Sequence, residues 1–181
     1  MLIPYGAGVP HGLNQNNYTK RIAAYEVFLK SAMSELELTM PEKEIQGHYD
    51  AGEQYEFYRD IKTILAIATT DLLIIDPYLN YEIFSLYADG ISRKISLRIL
   101  SNNVPATTSA IAAKYAAGGN LSFRTTNVIH DRLILIDNRV WFIGQSIKDA
   151  AKKKPTYIVE QDATNARPTY EGIWSAATVI Y

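Results

Sequence analysis

The chain has 181 residues, carries 18 Lys+Arg against 19 Asp+Glu for a formal net charge of -1, and is 48% hydrophobic. That length fits one domain of ordinary size, and that apolar share supplies a real core, which excludes a disordered chain. The balanced charge gives no global basic field, and the absence of cysteine excludes disulfides, thiolate metal sites and cysteine nucleophiles. The opening Met1-Leu2-Ile3-Pro4-Tyr5-Gly6 lacks a basic region followed by a long apolar one, and the apolar runs are strand-sized. Neither a signal peptide nor stable membrane insertion is expected, and the cytoplasm is the default compartment.

A Gly/Pro/Asn-rich arm from Met1 to Asn17 leads to a predicted helix from about Tyr18 to Leu38, with Ile22, Tyr25, Leu29, Met33 and Leu36 at helical intervals. Such a stripe either packs on its own domain or receives a partner; packing is the ordinary outcome. Pro41 to Asp50 reads as a connector, so the chain is expected to divide into an N-terminal arm and helix, 1–50, and a domain over 51–181. Asp50 and Glu53 resemble a capping box for a second helix with Phe57, Ile61, Ile64, Leu65 and Ala68 on one side. Then the pattern alternates. Leu72–Ile75 reads as a buried strand, Asn80–Asp89 as helical, Ile95–Leu100 as a strand, and Ala106–Ala117 as a helix stopped by Gly118-Gly119. Leu121–Ile129 leads into a strand that includes His130 to Asp137, with Arg139–Ile143 its hairpin partner across Asp137-Asn138. Thr156–Glu160 is a further strand, and a last helix starts near Pro168. Strands alternating with helices imply an α/β domain whose mixed, mostly parallel sheet is sandwiched by helices, with an extra N-terminal helix.

The stretch His130-Asp131-Arg132-Leu133-Ile134-Leu135-Ile136-Asp137 sets an imidazole, a cation and a carboxylate at fixed intervals, and Gly144-Gln145-Ser146 follows. Period two puts His130 and Arg132 on one face of a strand, where a phosphodiester could meet both. Asp137 points the other way unless a bend, a bulge or a neighbouring chain intervenes. From His130 to Lys154, six cations face three carboxylates, a local excess of +3 in a near-neutral chain. Asp76-Pro77-Tyr78 and Ser101-Asn102-Asn103 follow the first two strands and fall at the same sheet edge as His130. Both are also ordinary turn chemistry. His11 and His48 have no polar partners at meaningful spacing and read as surface histidines.

The order and spacing resemble the HxKxxxxDxxxxxxGSxN signature of the phospholipase D-like phosphodiesterase superfamily, with Arg132 at the usual lysine position. The resemblance covers roughly Glu53 to the end. It implies an αβα half-unit and a metal-independent phosphodiesterase, without cofactor, acting on DNA or RNA through a phosphohistidine. Because only one motif is present, it implies a homodimer whose two copies share the site. Carried over, His130 is the nucleophile in one subunit and the acid/base in the other, Arg132 and Ser146 hold phosphate oxygens, and Asp137 orients the histidine. Asp76 and Asn102, from the sheet edge they are expected to share with His130, are candidates to support these residues from behind. Three positions depart from the signature: Arg132, Gln145 at the serine position with Ser146 one place later, and Ile147 where asparagine would be, with Lys148 a candidate substitute for the missing polar group. These departures leave open a second reading, in which the same pocket, catalytically degenerate, binds nucleic acid, phosphate groups or a protein partner within a larger complex. Thirteen tyrosines are compatible with core, stacking or interface roles alike.

Overall fold

In the computed structural model, residues 18–25, 28–29 and 47–181 are described, and the chain divides into two compact units, 1–43 and 44–181. In the first unit, residues 18–25 and 28–29 are helical (α1). Ile22, Tyr25 and Leu29, of the stripe expected to pack, are all exposed. Its continuation through Met33 and Leu36, and His11 in the arm, lie outside the described residues.

The second unit holds β1 (Gly47–Tyr49), α2 (Gln54–Ala66), β2 (Asp71–Ile75), β3 (Ser96–Ser101), α3 (Ala106–Ala116) and β4 (Leu121–Thr125). They are followed by β5 (Leu133–Ile136), β6 (Arg139–Ile143), β7 (Thr156–Asp162), α4 (Ala163–Ala176) and β8 (Thr178–Val179). The strands form one mixed sheet in the order β1-β7-β6-β5-β2-β3-β4-β8. The α/β class is as expected, but the sheet is mostly antiparallel: only β2–β3 and β3–β4 run parallel. The reason is in the connections. Helical segments carry the chain back between β2, β3 and β4, whereas β5, β6 and β7 follow one another with no intervening helix and must reverse direction.

Both faces of the sheet are covered, and the strand alternation decides which residue faces which helix. Leu72 and Ile74 of β2, Ile134 and Ile136 of β5, and Trp141 and Ile143 of β6 join the core under α2 and α3. Leu73, Ile75, Leu133, Leu135 and Val140 face α4 with Tyr170 and Trp174. Every β2 residue from Leu72 to Ile75 is fully buried, so the continuous apolar run marks the sheet's centre. On the sheet's α4 side, Arg98 makes paired hydrogen bonds to Asp71 (2.6 and 2.8 Å) and to Glu171 (both 2.7 Å), which ties α4 to β2 and β3.

Four expectations shift. The connector contains β1, an edge strand paired antiparallel to β7. Asn80–Asp89 is not an α-helix; a five-residue π-type turn, Ile83–Tyr87, runs into a 3-10 turn, Ala88–Gly90. The turn buries Ile83, Phe84, Tyr87 and Ala88 on one side, the face that the apolar pattern marks. Helix α4 starts at Ala163 and has Pro168 inside it, because the Asp162 carboxylate caps it by accepting from Thr164 N at 2.8 Å. Finally, β5 begins only at Leu133, so His130, Asp131 and Arg132 lie in the segment entering the strand. Among the described residues, no helix is long and apolar enough to cross a membrane.

Candidate functional site

The antiparallel register of β5 against β2 sets the site. Ile75 pairs with Leu133 and Leu72 with Ile136, so the end of β2 adjoins the start of β5. Asp76, immediately after β2, and Arg132, immediately before β5, are therefore neighbours at one edge of the sheet. The ends of β3 and β4 reach the same edge: Asp76 N donates to Leu100 O (3.1 Å), Asn102 N to Pro77 O (3.4 Å) and Thr126 N to Ser101 O (3.1 Å). β6 returns there too, with Ile143 N donating to Arg132 O at 2.8 Å. The shared edge expected for the Asp76, Asn102 and His130 clusters is thus reached by parallel and antiparallel strands together.

A cavity of about 380 Å³ opens at this edge between Tyr78, Arg132, the Gly144–Ser146 turn and Lys152–Lys154. The Arg132 guanidinium carbon stands 5.3 Å from the centre of the Tyr78 ring, within cation–π range. Its Nε is buried and donates to no described residue, and among the described residues Arg132 enters no salt bridge. A buried charged donor without an acceptor costs on the order of 1–3 kcal/mol or more, so this group is suited to an anionic ligand. Lys152, Lys153 and Lys154 add three exposed cations around the opening, against one lining carboxylate, Asp149.

Asp76 lies behind the cavity, fully buried. Its two oxygens accept from Tyr78 N (2.9 Å) and Ile147 N (2.8 Å), which holds the Asp-Pro turn and the Ser146 turn against each other. Burial pushes its carboxyl above the usual carboxylate range, and the two backbone donors, the Ser146 hydroxyl and the Arg132 charge partly offset that. The Ser146 oxygen is itself buried and closes no hydrogen bond of ordinary geometry, so its pull on Asp76 is weak. Ser146 reaches the cavity because the chain leaves β6 in a turn rather than continuing the strand. Gln145, at the signature's serine position, instead donates to Pro155 O at 3.1 Å and braces the lysine loop. Gly144 is required by close approach: a Cβ there would stand 2.8 Å from two ring carbons of Tyr157.

The other expected site residues are placed less uniformly. His130 is exposed at the same edge but does not line the cavity. The segment that carries it is held by the next residue, since Tyr170 Oη donates to the Asp131 carboxylate at 2.5 Å. Asn102 contributes backbone bonds, accepting from Thr125 Oγ1 at 2.5 Å as well as donating to Pro77. Lys148 is paired with Asp149 (2.7 Å) and lines a separate cleft, not the Arg132 cavity.

Asp137 is brought to none of these groups. It sits in the β5–β6 turn at the opposite end of β5, with a positive φ of 46°. Its carboxylate accepts from Thr69 N (3.0 Å), Thr69 Oγ1 (2.8 Å), Thr70 N (3.1 Å), Thr70 Oγ1 (2.6 Å) and Asp71 N (3.0 Å). Within one chain it orients the start of β2, not His130. Among the described residues, no group of three or more histidine or carboxylate side chains is assembled for a metal. Tyr78 and the lysine loop are the lining residues the motif does not include; the signals for them were the Asp-Pro turn and the Lys152-Lys153-Lys154 run.

No family model and no curated protein matches the chain. Among solved structures it is similar to NucT from Helicobacter pylori, with a TM-score of 0.53 and 12% identity over 74% of this chain and 98% of that one. Its fold is phospholipase D-like. The chain is also similar to TrmBL2, an archaeal chromatin protein whose structure is described as showing a novel mode of DNA binding, with a TM-score of 0.54 and 16% identity over 90% of this chain and 67% of that one.

Proposed function

We propose that this chain binds the phosphodiester backbone of nucleic acid in the Arg132 cavity. The single observation that carries the reading is the unpartnered buried Nε of Arg132, at a cavity whose other cations are Lys152, Lys153 and Lys154. A guanidinium beside the Tyr78 ring presents its planar edge to phosphate oxygens, and the exposed Lys153 and Lys154 charges add attraction that falls with salt. The fold it shares with a chromatin protein described as binding DNA supports nucleic acid as the source of the phosphate.

Hydrolysis is the second reading, favoured by an exposed His130 two residues from Arg132 on a segment anchored through Asp131 and Tyr170. One chain supplies one such histidine, so the reaction needs a homodimer. His130 forms a nitrogen–phosphorus bond as the P–O bond to the leaving group breaks, and the second copy's His130 protonates the departing oxygen. Water then displaces the imidazole, giving its proton to that second histidine. Arg132 stabilises the charge on the phosphoryl oxygens throughout.

Fluorescence anisotropy with a labelled DNA strand across a salt series tests binding. Arg132→Ala should weaken it and flatten the plot of log affinity against log salt by about one phosphate contact. Equal affinity and slope in wild type and variant would overturn the phosphate reading. EDTA-resistant cleavage lost in His130→Ala, with binding retained, is the outcome expected of the hydrolytic reading.

A further inference from the structure

A second cleft, of about 400 Å³, lies on the other side of the Ile147–Lys152 turn, and Lys152 lines both it and the Arg132 cavity. Its surface is unlike that of the phosphate cavity. Phe57, Tyr87 and Ile147 are buried and form an apolar base, while Tyr55 and Leu86 stand exposed at 69% and 45%. Tyr58 lines it as well, its ring 5.3 Å from that of Tyr87 and its hydroxyl donating to Leu86 O at 3.3 Å, so the aromatic wall is fixed. The polar groups here are of mixed character: Gln54 and the Glu82 carboxylate, with Lys148 and Lys152 on the dividing turn.

The two lysines on that turn are already engaged. Lys148 pairs with Asp149 at 2.7 Å, and Lys152 reaches the Lys148 carbonyl and lies 3.9 Å from Asp149. With those cations occupied and a carboxylate on the wall, the cleft disfavours a second phosphate. A flat, uncharged ring with hydrogen-bonding edges fits its aromatic faces, its apolar base and its amide and carboxylate acceptors. In a nucleic acid that ring is a base, and it is one turn of chain away from the cavity that takes the phosphate.

We infer that the cleft between α2 and the Ile147–Lys152 turn is a nucleobase subsite, so that the chain selects unpaired over duplex nucleic acid. The inference rests on the phosphate reading of the Arg132 cavity. In a duplex each base face is covered by its stacked neighbours and each Watson–Crick edge by its partner, so only an unpaired base can turn into the cleft. Stacking of a base on a tyrosine is tolerant of sequence, because every base has a π face.

The test compares three ligands with the full chain by anisotropy: a labelled twelve-nucleotide DNA strand, the same strand annealed to its complement, and an abasic strand with the same phosphates. The base-bearing single strand should bind about fivefold or more tighter than the abasic one, the lower end of what stacking one base contributes. Tyr55→Ala should close that gap, and Tyr55→Phe should restore it. Tyr55 is a surface side chain, and a thermal melt checks that the variants stay folded. Equal affinity for the base-bearing and abasic strands, with Arg132→Ala weakening both, would overturn the subsite while leaving the phosphate reading intact. Affinity for all three that is indifferent to Arg132→Ala would overturn both.

Discussion

Asp137→Asn separates a structural role from a catalytic one, because Asn tolerates the positive φ of 46° at this turn as Asp does. The Asp137 carboxylate gathers five hydrogen bonds from three successive residues, Thr69, Thr70 and Asp71, and so fastens the β5–β6 turn to the entry of β2. An amide keeps one acceptor oxygen and presents an NH₂ to the other set of donors, so about two of the five bonds are lost. Hydrogen bonds to a charged group contribute roughly 1.5–3 kcal/mol when well shielded, and loss of an exposed aspartate cap costs about 0.5–2 kcal/mol. This site is only half-buried, so a loss of about 2 kcal/mol in urea unfolding at neutral pH is expected. Asp137→Ala should cost about 3–4 kcal/mol, since it removes all five bonds and adds left-handed strain of about 1–2 kcal/mol. Burial pushes the Asp137 carboxyl upward, but the Thr70 hydroxyl and the backbone donors of Asp71 and Thr69 outweigh it and hold it well below the usual carboxylate range. Its contribution is therefore complete above the unfolded pKa near 4 and is lost as pH falls below about 4; the Asn variant should show a flatter loss of stability in acid. DNA affinity of the folded variant should stay within about twofold of wild type, since 0.4 kcal/mol corresponds to a factor of about two. Wild-type stability together with lost binding or cleavage would refute this placement of Asp137.

Gly144→Ala should lower stability by about 1–3 kcal/mol, the usual cost of overpacking, because its Cβ meets the Tyr157 ring at 2.8 Å; Tyr157→Ala in the same chain should recover part of the loss in a double-mutant cycle. Asp76→Asn should cost about 1–3 kcal/mol in thermal or urea unfolding, since both oxygens now accept from backbone N–H groups and an amide leaves one of those donors facing another. Wild-type stability in that variant would show that the Tyr78 and Ser146 turns are not held through Asp76. Arg132→Lys should weaken DNA binding, because an ammonium keeps the charge but loses the planar fork that can hold phosphate oxygens in pairs. If cleavage is detected, mixing wild type with excess His130→Ala should suppress it more than dilution does, since a mixed dimer has only one histidine; simple proportional dilution would rule out the shared site.

The parts of the fold most legible in the sequence were those governed by local pattern. The Leu72–Ile75 run, the Phe57–Leu65 helical face and the Asp137-Asn138 hairpin each appear where periodicity or turn chemistry put them. Strand direction was less legible, because periodicity reports which face is buried and says nothing about which neighbour a strand will pair with. β5 lies antiparallel beside β2, a pairing across about sixty residues that no local signal encodes. β1 and β8 are three and two residues long, too short to show an alternation. In the site, the motif located Arg132 and Ser146 at one cavity. It did not bring Asp137 there: five residues beyond Arg132, at a strand rise of about 3.3 Å per residue, Asp137 lies at the opposite end of β5. The aromatic cleft was the least legible part of all: Tyr55 and Tyr58 come from α2 and Leu86 from the segment after β2, and only the packing of α2 beside the Ile147–Lys152 turn brings them together.

Binding and chemistry at this edge depend on different supports, although their leading residues are two positions apart. Arg132 lies within cation–π range of Tyr78, itself held by the Asp76 turn, and its carbonyl accepts the backbone bond from Ile143. His130 is held through its neighbours, Ile129 buried in the core under α4 and Asp131 bonded to Tyr170 of that helix. Loss of the Tyr170–Asp131 bond would loosen the histidine while leaving the guanidinium and the Ser146 turn in place. The converse also holds, since disturbing Asp76 would spoil the phosphate cavity with the Tyr170 anchor untouched. A chain built in this way can alter its phosphate cavity while keeping its histidine and that residue's anchor, and the departures from the signature fall on one side of that division. Arg132, Gln145 and Ile147 all belong to the phosphate cavity and its supports, whereas the histidine is unaltered.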